Sequence, residues 1–165
     1  MDSRVDIVTP IAPILLRLRS RHDTPLRAPS YLAHVHDFPH RLAAVLRAIA
    51  AADGGAILFH CGAGWDRTGL LAAVLLRALD VTDDAAVEDY LESLTNAETM
   101  AALHGRSFDV EERLQVLARF SHTPESAFRS MYEELDLEDW FRMAAIDDET
   151  RTAVTSWRGA ANPGD

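Results

Sequence analysis

Between Tyr31 and Ala52 the apolar residues recur at helical spacing, with Leu42, Val45, Leu46 and Ile49 on one side of the wheel. Such a stripe predicts a helix with one buried face. Pro39 has no amide proton to give, so the helix is interrupted or restarted near that position. Asp53, Gly54 and Gly55 then turn the chain into Ala56-Ile57-Leu58-Phe59-His60, a short unbroken apolar run that predicts a buried strand. From Thr68 to Leu79 the chain is apolar nearly all round, which predicts a helix buried on most of its faces.

Further helix starts are marked by Thr82 before Asp83-Asp84, by Thr123 before Pro124-Glu125, and by Asp147 ahead of a last helix that stops near Gly159. Each pairs an oxygen-bearing cap with acidic residues or proline in the first turn. The acidic runs Glu133 to Asp139 and Asp147 to Glu149 read as solvated helix faces and helix starts. Toward the N-terminus, Val5 to Val8 suggests a short strand, Ile14 to Arg19 a helical turn or two, and Arg21 to Ser30, with Pro25 and Pro29, a loop. The expected architecture is α/β: a parallel sheet reduced in strand number, surrounded by many helices. A length of 165 residues suits one domain spanning 1–165.

Composition narrows the chemistry. Aspartate and glutamate outnumber the cations 26 to 16, and all sixteen cations are arginine. That balance argues against a nucleic-acid partner, which would need a basic face. An anionic ligand must therefore be held by a local arrangement. The apolar stretch Ile7 to Leu16 is short and carries two prolines, so neither stable membrane insertion nor a signal peptide is expected. The single cysteine, Cys61, cannot form an internal disulfide, and a reduced, cytoplasmic setting fits it best.

Cys61 stands in His60-Cys61-Gly62-Ala63-Gly64-Trp65-Asp66-Arg67-Thr68-Gly69, between the expected strand and the buried helix. A loop entering a helix turns successive N–H groups toward one point, where an anion is favoured. Gly62, Ala63 and Gly64 leave room for a phosphate-sized ligand, and the Arg67 fork can bind two of its oxygens. The same donors would ionise the Cys61 thiol, which at its ordinary pKa of about 8.5 is mostly protonated at neutral pH. A thiolate beneath a phosphate cradle is arranged for in-line attack on phosphorus and a phosphocysteine intermediate. One carboxyl group must then protonate the leaving oxygen and later activate water. Asp66 is nearest in sequence, although a residue at that point can instead cap the amides of Thr68 or Gly69. Asp37, Asp23 and His36 stand in reserve.

His60-Cys61, Gly64 and Arg67-Thr68-Gly69 match HCxxGxxR[ST]G, the signature of cysteine-dependent phosphatases. With the Asp66-Arg67-Thr68-Gly69 ending, the apolar helix after it and Asp89-Tyr90-Leu91 beyond, the chain resembles the bacterial atypical tyrosine phosphatases from about Tyr31 to the last helix. The resemblance implies Cys61 as nucleophile, Arg67 as phosphate binder and Asp66 as general acid, and a phosphotyrosine protein as substrate, with phosphoserine, phosphothreonine or phosphoinositides for some members. Two features depart from the family pattern. Trp65 replaces the usual lysine, making Gly64 to Thr68 similar to the loop of myotubularin lipid phosphatases, where it could stack on a phenyl or inositol ring or merely pack at the rim. No FRDLGG-like segment or further strand is visible before Val5, which would leave a sheet edge in need of cover.

The expectation is thus a protein-tyrosine phosphatase that needs no cofactor. The alternatives are a phosphoinositide phosphatase, a phosphate-binding pseudophosphatase, or a sulfurtransferase or arsenate reductase with a similar loop. Gly62, Ala63, Gly64, Trp65, Arg67 and Thr68 are the expected substrate contacts, with His60, Thr68 and Gly69 supporting the loop. His34, His36 and His40 invite a metal reading, but a helix puts only His36 and His40 on one face, beside no carboxylate except Asp37; no metal is expected.

Overall fold

The computed structural model describes residues 31–52 and 57–157. Within them lie helices α1 (Tyr31–Asp37), α2 (Pro39–Ala50), α3 (Asp66–Ala78), α4 (Asp83–Leu103), α5 (Val110–Ala118), α6 (Pro124–Glu134), α7 (Leu137–Met143) and α8 (Asp148–Thr155). No strand occurs among the described residues. The expected parallel-sheet α/β architecture is therefore corrected to a helical one. Val5 to Val8, Ile14 to Arg19, the 21–30 loop and Gly159 lie outside the described residues.

The reason is visible in residues 57–60, which run without regular structure. Ile57 and Phe59 pack against the core while Leu58 between them is 68% exposed. The segment buries alternate side chains as a strand does. A strand also needs a neighbour that accepts from its amides and donates to its carbonyls, and no described segment pairs with this one.

The helices follow their sequence signals closely. Pro39 sits in the first turn of α2, and Leu42, Val45, Leu46 and Ile49 are all buried. Thr82, Thr123 and Asp147 cap α4, α6 and α8 by accepting from the amides of Ala85, Ser126 and Thr150. Asp109 and Asp136 cap α5 and α7 in the same way. The acidic runs end in caps and surface ion pairs, among them Arg142–Asp139 and Arg151–Glu138.

Packing brings α2 onto α8 and α4 onto α6, with α3 touching α4, α7 and α8. Polar contacts tie distant elements together. Trp140 of α7, fully buried, donates its indole N–H to the Val35 carbonyl of α1 at 2.9 Å, and Tyr132 of α6 donates to the Val81 carbonyl at 2.9 Å. Arg47 of α2 donates to the Ala145 carbonyl at 2.6 Å, in the turn before α8. The first of these links holds α1, and the second holds the connection that follows α3.

Candidate active site

Helix α3 begins where the loop ends, with Trp65 as its N-cap and Asp66, Arg67 and Thr68 as its first three residues. Its first internal hydrogen bond runs from the Gly69 amide to the Trp65 carbonyl, 2.6 Å. The Thr68 amide comes one residue too early to find such a carbonyl, since the first amides of any helix lack partners within it. It turns instead to the Cys61 sulfur.

Cys61 is partly buried, and burial by itself pushes its thiol up. That effect is outweighed by the Thr68 hydroxyl, the amides of Thr68 and Ala63, and the charge of Arg67, which together hold the thiol below its ordinary value. The Thr68 hydroxyl is buried and has no partner at hydrogen-bonding geometry; its effect is on the neighbouring sulfur, whose ionised form it favours. The site therefore favours negative charge at one point.

Gly64 has φ of +71°, a conformation that side chains disfavour, although a Cβ there would meet nothing closer than Met100 at 3.8 Å. Glycine is needed here for its backbone. Gly69 is needed for space, since a Cβ there would lie 3.0 Å from the buried Tyr90 ring, whereas one at Gly62 would meet only the side chain of the exposed Arg106, at 3.2 Å. His60 faces the Cys61 carbonyl through Nδ1 at 3.1 Å. A carbonyl only accepts, so this contact places the ring proton on Nδ1. The His60 ring also stacks on His104, centroids 5.0 Å apart and planes at 7°.

Asp66 accepts a hydrogen bond from the hydroxyl of Tyr31, 3.0 Å from Oδ1. The two amides that a capping Asp66 would serve are engaged elsewhere, Thr68 with the sulfur and Gly69 with Trp65. Trp65 itself is only 2% exposed, its ring set against Tyr90 at 5.7 Å and edge-on to Phe108 at 5.8 Å. Both contacts place the indole in the core, which is the packing role and not the substrate-stacking one. Arg67, besides acting on the sulfur, lines an apolar-walled cavity with His34, Phe38, Arg41 and Leu70.

The structure thus gathers His60, Cys61, Ala63, Arg67 and Thr68 around one anion-favouring point, with Asp66 at the adjoining first turn of α3. Tyr31, Tyr90, His104 and Arg106 complete the surroundings; of these only Tyr90 stands in a stretch the sequence marks, Asp89-Tyr90-Leu91. Tyr31 opens α1, while His104 and Arg106 share the connection after α4, with no spacing pattern to tie them to the loop. Asp37, also on α1, is not among the groups acting on the sulfur, and Asp23 lies outside the described residues.

Among the described residues no helix is long and apolar enough to cross a membrane. No solved structure matches the chain. It is 42% identical over 84 residues to a protein of Cupriavidus necator named "Putative tyrosine-protein phosphatase", a match covering 48% of this chain and 30% of the relative. It is 41% identical over 69 residues to a "Tyrosine-protein phosphatase" of Nostoc commune, covering 42% of this chain and 21% of the relative. The matched segments thus span less than a third of either relative. The model of the tyrosine phosphatase family matches residues 17–156, most of the chain and all of the loop. This protein belongs to the tyrosine phosphatase family.

Proposed function

We propose that this protein hydrolyses phosphate monoesters, phosphotyrosine in proteins above all, through a phosphocysteine on Cys61. The observation that carries the reading is the convergence of the Thr68 hydroxyl, two amides and Arg67 on one partly buried sulfur. Family membership supports it independently.

In the first half-reaction the Cys61 thiolate attacks phosphorus and the bond to the leaving oxygen breaks. Asp66 delivers its proton to that oxygen, releasing a neutral phenol. Arg67 and the amides of Gly62, Ala63, Gly64 and Thr68 carry the charge of the phosphoryl oxygens, the task for which fixed donors are most effective. In the second half-reaction the Asp66 carboxylate takes a proton from water, the water oxygen attacks phosphorus, and the S–P bond breaks. Inorganic phosphate leaves and the thiolate is restored. His60 holds the Cys61 carbonyl and steadies the loop. A thiolate nucleophile works only where thiols stay reduced, which supports a cytoplasmic setting.

The test compares wild type with Cys61→Ser on p-nitrophenyl phosphate, phosphotyrosine peptides and phosphoinositide headgroups, and traps the phosphoenzyme by rapid quench. Expected are turnover of the aryl phosphate and peptide by wild type, a phosphorylated Cys61 in the quench, and no turnover by the variant. Vanadate binding by both with turnover by neither would identify a phosphate-binding pseudophosphatase. Preference for the headgroups would move the substrate from protein to lipid.

A further inference from the structure

Tyr31 opens α1, is fully buried, and lies 35 residues before the carboxylate it touches. Its ring meets Tyr90 edge-on, centroids 6.4 Å apart. Phenylalanine would fill the same volume and make the same ring contact. What the hydroxyl adds is a 3.0 Å hydrogen bond to Oδ1 of Asp66, directed from the core toward the loop. Burying a hydroxyl costs free energy unless it is bonded, so this group is placed for its partner. Burial, then Tyr90 and Asp66, hold the phenol proton far more tightly than in water, which keeps Tyr31 a donor across the working pH range.

Asp66 needs such a tether because of where it sits. A carboxylate in the first turn of a helix is drawn toward that turn's free amides. In α3 the Thr68 amide serves the sulfur, and a carboxylate swinging onto it would remove a donor from the nucleophile. The bond from Tyr31 gives the Asp66 carboxylate a donor other than those amides.

We propose that Tyr31 is a positioning residue for the phosphatase reaction, fixing the Asp66 carboxyl for proton transfer to the leaving oxygen. The proposal rests on the reading of Asp66 as general acid. Tyr31 acts on the reaction through Asp66.

The experiment measures kcat/KM against pH for p-nitrophenyl phosphate and phenyl phosphate, with wild type, Tyr31→Phe, Asp66→Asn and the double variant. For Tyr31→Phe the expected loss is at least tenfold on phenyl phosphate, whose leaving group needs the proton, and under threefold on p-nitrophenyl phosphate. Loss of a donor to the charged carboxylate should move the basic limb of the profile to higher pH. In the Asp66→Asn background Tyr31→Phe should add less than twofold, because both changes act through one group. Equal losses on both substrates with an unmoved basic limb, while Asp66→Asn stays selective for the poor leaving group, would overturn the proposal and leave Asp66 as the acid. No leaving-group selectivity in Asp66→Asn would overturn the acid reading and the proposal with it. Should Tyr31→Phe fail to fold, 3-fluorotyrosine at position 31 keeps the ring and strengthens the donor. The basic limb should then move to lower pH, and a profile identical to wild type would count against the proposal.

Discussion

Gly69 of α3 lies against the ring of Tyr90 on α4, so closely that a Cβ on the glycine would sit 3.0 Å from Cδ2 and 3.1 Å from Cε2. The last glycine of the loop motif therefore sets how near two helices approach. Tyr90 in turn touches Trp65 and Tyr31 and stacks on Phe128 at 4.3 Å. The spacing at Gly69 is thereby passed to the residues behind the loop.

Gly69→Ala should destabilise the fold by about 1–3 kcal/mol, the usual range for overpacking a filled interior. In thermal unfolding that corresponds to a Tm lower by roughly 2–12 °C for a chain of this size. Gly69→Ala combined with Tyr90→Leu should lose less than the two single losses added together, since the shortened side chain relieves the clash. Strict additivity would show that the contact is not the cause.

Thr68→Val keeps the shape of the side chain and removes the hydroxyl that faces the sulfur. Titrated through the rate of iodoacetamide alkylation, Cys61 in the wild type should ionise below the ordinary thiol value of about 8.5. The variant should ionise at higher pH than wild type, because a donor to the charged form is lost and burial remains. As hydrogen bonds to charged groups contribute about 1.5–3 kcal/mol, turnover at neutral pH should fall about 10- to 150-fold. The sign for stability follows: a thiol held low adds stability at high pH that is lost as pH falls through its folded value.

Arg67→Lys preserves the charge but not the planar fork. If Arg67 holds two phosphoryl oxygens at once, the lysine variant should lose about 10²–10³-fold in kcat, the size of effect seen when one fixed donor to a developing oxyanion is removed. Cys61 alkylation should still titrate low, since a cation remains. A variant as active as wild type would show that charge alone is what the site requires.

Ala145, at the end of α7, adopts φ of +50° and is exposed. A side chain in this left-handed conformation costs about 1–2 kcal/mol, which glycine avoids. Ala145→Gly should raise the denaturant midpoint by an amount equivalent to about 1 kcal/mol without changing the slope. The Arg47 bond to the backbone carbonyl of residue 145 does not depend on the side chain, so packing of α2 on α8 should be unaffected.

Much about this protein is local, and local physics is written in adjacent residues. Helix α2 is legible because its apolar stripe and its proline are within a few turns of each other, and the caps at Thr82, Thr123 and Asp147 because cap and amide are three residues apart. The anion-favouring loop is legible for the same reason, since Cys61, Gly64, Arg67 and Thr68 all fall within eight consecutive residues. Only tertiary structure could decide the rest. Residues 57–60 carry a strand's apolar content, but a ladder is a property of two segments, and no described segment pairs with them. Trp65 could in principle have served a ligand or the core, and it is Tyr90 and Phe108, 25 and 43 residues further on, that claim its ring. The tether on Asp66 comes from a tyrosine 35 residues earlier. Such pairings cost chain entropy that packing of the helices must offset, and no spacing rule along the chain announces them.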